Sequence, residues 1–306
     1  MSLYVSSKAG AKSLPLVPTT APVLLKRINM SIKHRIYSPY YKFHHIVIDS
    51  YEIYNSKNKE ISYPIWPDGC MQLQFIFSPL GSVAQVWGCQ TQKRELLIPA
   101  RGRLYALRLH PGAWQGLQRN YADEITDKQI PFNAYFKQSQ RLGQKLRFSE
   151  SFHERNIIFQ HFFSFLGIEN FRGLEKLSYA LKEIQQAKGN IRVQDIAKIL
   201  GCSTRYVSRI FVQQVGISPK IYAQLVQLQI SGKMILHNRP KSLLDVAVSC
   251  GYFDQAHMNR AYQKYLFCTA YDVKNDSSKD ISGIELLTDN EVIRQSQIYR
   301  DSFVSN

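Results

Sequence analysis

The sequence predicts an α+β, multidomain protein. A β-rich N-terminal domain, sheet or barrel-like, precedes an all-α C-terminal domain with two helix-turn-helix units. Three observations predict this. The chain has 306 residues, about two domains' worth. Between residues 44 and 110, short runs of β-branched and aromatic residues alternate with Gly and Pro turns. Near the C-terminal end, DIAKILGCSTRYVSRIF (195–211) and DVAVSCGYFDQAHMNRAY (245–262) repeat one order: Asp, an aliphatic residue, Ala, then Gly four residues on, then Arg in a new helical pattern. Ala197/Gly201 and Ala247/Gly251 stand 50 residues apart.

In chain order, residues 1–35 read as a flexible arm rather than a signal peptide, because no compact apolar core follows the early charge. Residues 36–136 form the β-rich domain. Its strands are read at 44–54, in ISYPIWPDGCMQLQFIF with alternation at Met71, Leu73, Phe75 and Phe77, and at 82–89, 94–100 and 102–110. Pro111-Gly112 ends the last strand, and a helix starts beyond it. Residues 137–172 are a helical connector, with Ile157, Ile158, His161, Phe162 and Phe165 on one apolar face that packs on its own domain or on a second copy. Residues 173–275 are the all-α domain, opening with an amphipathic helix ended by Gly189-Asn190. Residues 276–306 are a polar tail or an appended helix.

Each half of the repeat contains what two steeply crossing helices need. In the first, Val193, Ile196, Ala197 and Leu200 form an i, i+3, i+4, i+7 stripe. Gly201 supplies the turn, and Ser203 caps the next helix. Val207, Ile210 and Phe211 face inward, leaving Thr204, Arg205, Ser208 and Arg209 outward. The second half has one extra turn residue: Leu243, Val246, Ala247 and Cys250, then Gly251, then the cap Asp254. Met258, Ala261, Tyr262 and Tyr265 face inward, with Gln255, His257, Asn259 and Arg260 outward. Between the halves, Ser218-Pro219 starts a helix that Asn238-Arg239-Pro240 ends. That spacer is roughly 27 Å long, close to the separation of about 34 Å between successive turns of DNA.

Residues 174–273 resemble the DNA-binding domain of the AraC/XylS family. The matching residues are IAKILGCSTRYVSRIF, GISPKIY, MIL and DVAVSCGYFDQAHMNRAYQKY. The resemblance implies seven helices, two of them inserted into successive major grooves of double-stranded DNA. By position it carries base contacts to Arg205, Ser208 and Arg209 in the first recognition helix, and to Gln255, Ala256, His257 and Arg260 in the second. The chain departs from the family pattern at Gln227 (Arg), Ser231 (Ala), Met258 (an aromatic), and Phe267 and Ala270 (Gly and Pro). WPDGC (66–70) and LRLHPGAW (107–114), followed by DEITDKQIPF, are similar to the sensor-type N-terminal domain of many AraC-like regulators. This implies an architecture over 37–136 and no particular ligand.

Composition agrees with a polyanion partner. The net charge is +16. Residues 188–275 carry twelve Lys or Arg against four Asp or Glu, and residues 1–60 carry nine against three. Lys198, Lys220, Lys233, Lys241 and Lys264 are phosphate-contact candidates, while Arg209 and Arg260 suit guanine and Gln or Asn suits adenine. Five scattered cysteines without a CxxC pair exclude a disulfide framework or zinc site. Cys202 and Cys250 read as core fillers, and Cys70 and Cys89 as the candidates for a thiol sensor. No 18-residue apolar run is present. No P-loop, GxSxG, HExxH or paired-carboxylate signature is present either, so no catalytic residue, metal or cofactor is assigned. Trp66, Phe75, Trp87, Arg108 and His110 are the candidates to line an effector pocket. The expectation is a cytoplasmic, effector-responsive transcription regulator, monomer or homodimer, with RNA polymerase as a partner if it activates. The alternative is that the N-terminal domain binds a partner protein, or carries an enzymatic or thiol-based activity.

Overall fold

The computed structural model describes residues 32–37, 43, 45–118, 120–168, 174–238, 240 and 242–275. The predicted arm up to residue 31, the tail from 276, His44 and Lys241 lie outside the described residues. The strands are β1 (Ile32–Tyr37), β2 (Val47–Asn55), β3 (Ile61–Ile65), β4 (Met71–Ser78), β5 (Gly81–Trp87), β6 (Arg94–Ile98), β7 (Arg103–Leu109) and β8 (Gln129–Pro131). β1 thus begins inside the stretch read as an arm; its register against β2 pairs Ile32 with Asn55 and Tyr37 with Ser50.

Six strands form one antiparallel sheet in the order β1-β2-β7-β4-β5-β8, and β3 and β6 pair separately. The domain is therefore two sheets and not a closed barrel. The edge strands β1 and β8 do not meet, and β3–β6 lies as a second layer on one face of the large sheet. Alternation sorts the side chains between the two faces. Tyr51, Ile53, Leu104, Ala106 and Trp87 pack with Tyr63, Ile65, Leu96 and Ile98 of the small sheet. On the opposite face Leu73, Phe75, Tyr105 and Leu107 join the main core. With both faces covered, β2, β4 and β7 are buried along almost their whole length.

The helices are α1 (Trp114–Leu117), α2 (Ser139–Phe148), α3 (Phe152–Phe165), α4 (Glu175–Gln186), α5 (Val193–Ile199), α6 (Thr204–Val215), α7 (Pro219–Asn238), α8 (Leu243–Ser249), α9 (Gln255–Leu266) and α10 (Ala270–Asn275). The predicted apolar face of α3 needs correction. The buried face consists of Phe152, Arg155, Asn156, Phe159, Phe162 and Phe163, whereas His161 and Phe165 are exposed. The reason is polar matching across the sheet. Arg155 Nη2 lies 2.7 Å from Glu52 Oε2, and Asn156 Oδ1 accepts from the Ser50 and Tyr105 hydroxyls at 2.5 and 2.9 Å. A hydrophobicity pattern hides such a face, because its central residues are charged and amide side chains satisfied inside the core.

No helix among the described residues is long and apolar enough to cross a membrane. Among them, no group of three or more His, Cys, Asp or Glu is placed to hold a metal ion.

Candidate nucleic-acid interface

Both helix-turn-helix units form as the residues require. Gly201 (φ 58°) and Gly251 (φ 74°) take the left-handed turn. The Ser203 hydroxyl accepts from Tyr206 N at 3.2 Å to start α6, and Asp254 Oδ1 accepts from His257 N at 2.5 Å to start α9. Ser242 caps α8 in the same way, accepting from Asp245 N at 3.2 Å. The predicted inward residues Val207, Ile210, Phe211, Met258, Tyr262 and Tyr265 are buried, and Ala261 is half-buried.

On the outer side, Thr204, Arg205 and Arg209 of α6 are exposed, and Ser208 is half-buried. The Arg209 guanidinium carbon stands 5.3 Å from the Tyr206 ring centre, and Lys176 Nζ approaches the same ring at 5.1 Å. Tyr206, half-buried, thus offers its ring to both cations. Of the second-unit candidates, Ala256 and Arg260 are exposed and Gln255 is half-buried. Two others have structural roles. His257 Nδ1 accepts from Phe253 N at 3.3 Å, and its ring meets Tyr252 edge-on. Asn259 Oδ1 accepts from Ala270 N at 3.1 Å, so its amide caps α10. Sequence spacing put both residues on the outer face. The turn and the following helix draw them inward, because each has an unsatisfied backbone N–H within reach.

The phosphate candidates also divide. Lys198 and Lys220 are exposed, and Lys233 is half-buried. Lys264 Nζ hydrogen-bonds to the Tyr265 hydroxyl at 2.9 Å.

Of the five residues that depart from the family pattern, Gln227, Ser231, Met258 and Ala270 are buried and Phe267 is exposed. Gln227 Nε2 donates to Cys250 O at 2.9 Å, tying α7 to the end of α8. Ser231 Oγ sits 3.0 Å from the Tyr262 hydroxyl and 3.5 Å from that of Tyr252. Phe267 adopts φ 60° at the end of α9, where glycine would carry no penalty.

Hydrogen bonds tie the sheet domain to this helical domain at three places. At the first, residues 66–70 lie on α7. Pro67 O accepts from Gln229 Nε2 at 2.8 Å, and Trp66 packs edge-on to Tyr262 with ring centres 6.1 Å apart. A Cβ at Gly69 would come within 2.7 Å of Tyr222, and one at Gly232 would overlap the Trp66 ring. At the second, Thr126 Oγ1 donates to Gly216 O, the end of α6, at 2.7 Å. At the third, Lys93 N donates to Tyr265 O in the last turn of α9 at 2.7 Å. Asp127 joins the second and third segments, accepting from Thr91 N and Oγ1 at 2.8 and 2.6 Å.

The five pocket candidates are occupied as structure. Trp66, Phe75 and Trp87 are core residues. Arg108 is buried between Asp49 and Asp68, with Nη2–Oδ2 and Nη1–Oδ2 distances of 2.5 Å each. Burial works against its charge, but the two carboxylates outweigh burial and push the guanidinium up. His110 is half-buried, and its backbone N donates to Ile46 O at 2.8 Å. A groove of about 330 Å3 instead opens between α2 and α3, with Leu142, Ile158, Phe162 and Phe165 under Arg141, Lys145 and His161.

Burial pushes the Cys70 and Cys89 thiols well up and raises that of Cys250 to about 11. The thiolate, which is the reactive form, is therefore scarce at all three. In a thiol titration of the native protein at pH 8, Cys202 and Cys268, both half-buried, should react first. Cys70, Cys89 and Cys250 should react only on unfolding. Prompt modification of Cys70 or Cys89, mapped by mass spectrometry, would restore the thiol-sensor alternative.

The model described as a helix-turn-helix domain matches residues 196–275, and that of a domain of unknown function (DUF6597) matches residues 39–131. An uncharacterized HTH-type transcriptional regulator of Haemophilus influenzae is 30% identical over 92 residues, 30% of each chain. The HTH-type transcriptional regulator MtrA of Neisseria gonorrhoeae is 28% identical over 83 residues, 27% of each chain. Each match thus spans less than a third of the relative's length. A structure of ToxT from Vibrio cholerae aligns over 79% of this chain and 98% of its own, at 13% identity and a TM-score of 0.36, a loose likeness of outline. With two capped helix-turn-helix units on one linker helix, and with the helix-turn-helix model matched over residues 196–275, the C-terminal domain is a helix-turn-helix domain of the AraC type.

Proposed function

We propose that the protein is a sequence-specific DNA-binding transcription regulator that inserts α6 and α9 into successive major grooves. One observation carries the reading. Arg209 and Arg260, in equivalent places of the two units, are both exposed on helices whose opposite faces are buried against a shared linker. Exposed Arg on a helix that fits the groove reads guanine bidentately. Lys198 and Lys220, both exposed, are the residues this reading assigns to backbone phosphates.

The N-terminal domain responds to an effector in this reading. Because the five predicted residues are taken up in the fold, the reading assigns the effector to the groove between α2 and α3. Its apolar floor and cationic rim suit a small amphipathic ligand or the side chains of a partner protein.

The test is in vitro selection of a binding site followed by footprinting. Protection should cover two patches about one helical turn apart. Arg209→Ala should cost about 1–3 kcal/mol on the selected site and relax preference at one position, whereas Lys220→Ala should weaken all sequences alike. Unchanged affinity and preference in Arg209→Ala would remove α6 from the role of base reader.

A further inference from the structure

The second unit has one residue more than the first between its turn glycine and its cap, and that residue has an unusual placement. In the first unit only Cys202 separates Gly201 from the cap Ser203. In the second, Tyr252 and Phe253 separate Gly251 from the cap Asp254. Tyr252 is buried, with its hydroxyl near Ser231. Phe253 is 89% exposed. An apolar residue just before a cap ordinarily packs on the fourth residue of the helix. Here that residue is Met258, which is fully buried without any help from Phe253. The core has no use for the Phe253 ring.

The ring is exposed on a braced turn. The Phe253 N–H donates to His257 Nδ1 at 3.3 Å, and the His257 N–H donates to Asp254 Oδ1 at 2.5 Å. The His257 ring is braced edge-on by Tyr252, with centroids 5.5 Å apart. His257, expected among the base readers, thus holds the residue that precedes the helix. Phe253 stands beside Gln255 and Ala256 at the N-terminal end of α9, the end of a recognition helix that meets base edges. A phenyl ring cannot hydrogen-bond a phosphate or the polar edge of a base. The apolar feature that the major groove offers at that depth is the thymine C5-methyl group.

We infer that Phe253 is a specificity-determining residue of the second unit, one that reads a thymine by apolar contact with its methyl group. The inference rests on the DNA-binding reading above. It gives the second unit a direct reader in place of the amide of Asn259, which the fold has turned inward.

The experiment uses the full-length protein, a selected site for the wild type, and Phe253→Ala, whose substituted side chain is exposed. The wild type should select a thymine in the half-site read by α9. Replacing that thymine with uracil, which removes only the methyl, should weaken the wild type roughly fourfold, the effect of one buried methyl. Phe253→Ala should bind both probes equally and select any base at that position, with the first half-site unchanged. Three results would overturn the inference. Phe253→Ala could select the same sequence with the same methyl sensitivity, it could lose affinity equally for every sequence, or the wild type could be blind to uracil throughout that half-site. Failure of the underlying reading looks different, because the wild type would then select no sequence at all and Arg209→Ala would change nothing.

Discussion

Arg108→Ala should lower the stability of the protein by about 3–5 kcal/mol, the usual cost of stranding a buried charge by deleting its partner. Arg108 makes two hydrogen bonds to Asp49, through Nε and Nη2, and a third to Asp68 through Nη1. Its side chain is 1% exposed, and those of Asp49 and Asp68 are 10% and 8% exposed. Removing the guanidinium leaves two carboxylates in a poorly solvated space. Arg108→Lys should recover only part of the loss, because an ammonium group cannot bind Asp49 in a bidentate manner while reaching Asp68. Replacing all three residues with apolar or amide groups of similar volume should recover more than Lys does, because no charge is then stranded. Urea unfolding measures all three cases. A loss under 1 kcal/mol in Arg108→Ala would mean that water reaches the two carboxylates.

Trp66→Ala should have an effect of similar size, about 3–5 kcal/mol, for a different reason: it opens a cavity where the two domains touch. Trp66 is 1% exposed and lies against Tyr262 and Gly232. Its indole N–H is buried without a hydrogen-bond partner. Trp66→Phe should therefore cost much less than Trp66→Ala, since it removes an unsatisfied donor along with part of the ring. Calorimetry distinguishes the Ala variant further. A single unfolding transition in the wild type should separate into two as the junction loosens. One sharp transition at an unchanged temperature would show that Trp66 contributes little to holding the domains together.

Much of this was legible in the sequence, and the exceptions share a cause. Gly201, Gly251, Ser203 and Asp254 could be read directly because turns and caps depend on a residue and its near neighbours. The inward stripes of α6 and α9 could be read because their apolar period is local. The buried face of α3 is hidden in the sequence because Arg155 and Asn156 are satisfied by Glu52, Ser50 and Tyr105, 51 to 106 residues away in the chain. Arg108 looks like a pocket residue in the sequence for the same reason: nothing near it in sequence shows that Asp49 waits on the adjacent strand. Residues 66–70 look like a strand-to-strand turn, and Asp68 does accept from Cys70 N as a turn former should, at 2.9 Å. That the turn is also a docking surface follows only from small residues opposite it, such as Gly232 for Trp66 and Gly69 itself for Tyr222. Spacing alone points His257 and Asn259 outward, but each accepts from a backbone N–H that spacing does not count.

The three hydrogen-bonded contacts of the sheet domain also have a mechanical consequence. One plate bears on the axle between the two readers and on the trailing end of each. Neither reader can swivel alone without shearing a seam that includes a cross-braced pair of loops. The protein thus behaves as a caliper with its jaws pinned. In the DNA-binding reading proposed above, it would gauge the phase between two half-sites as well as their sequence, and a push on the plate would move both jaws together.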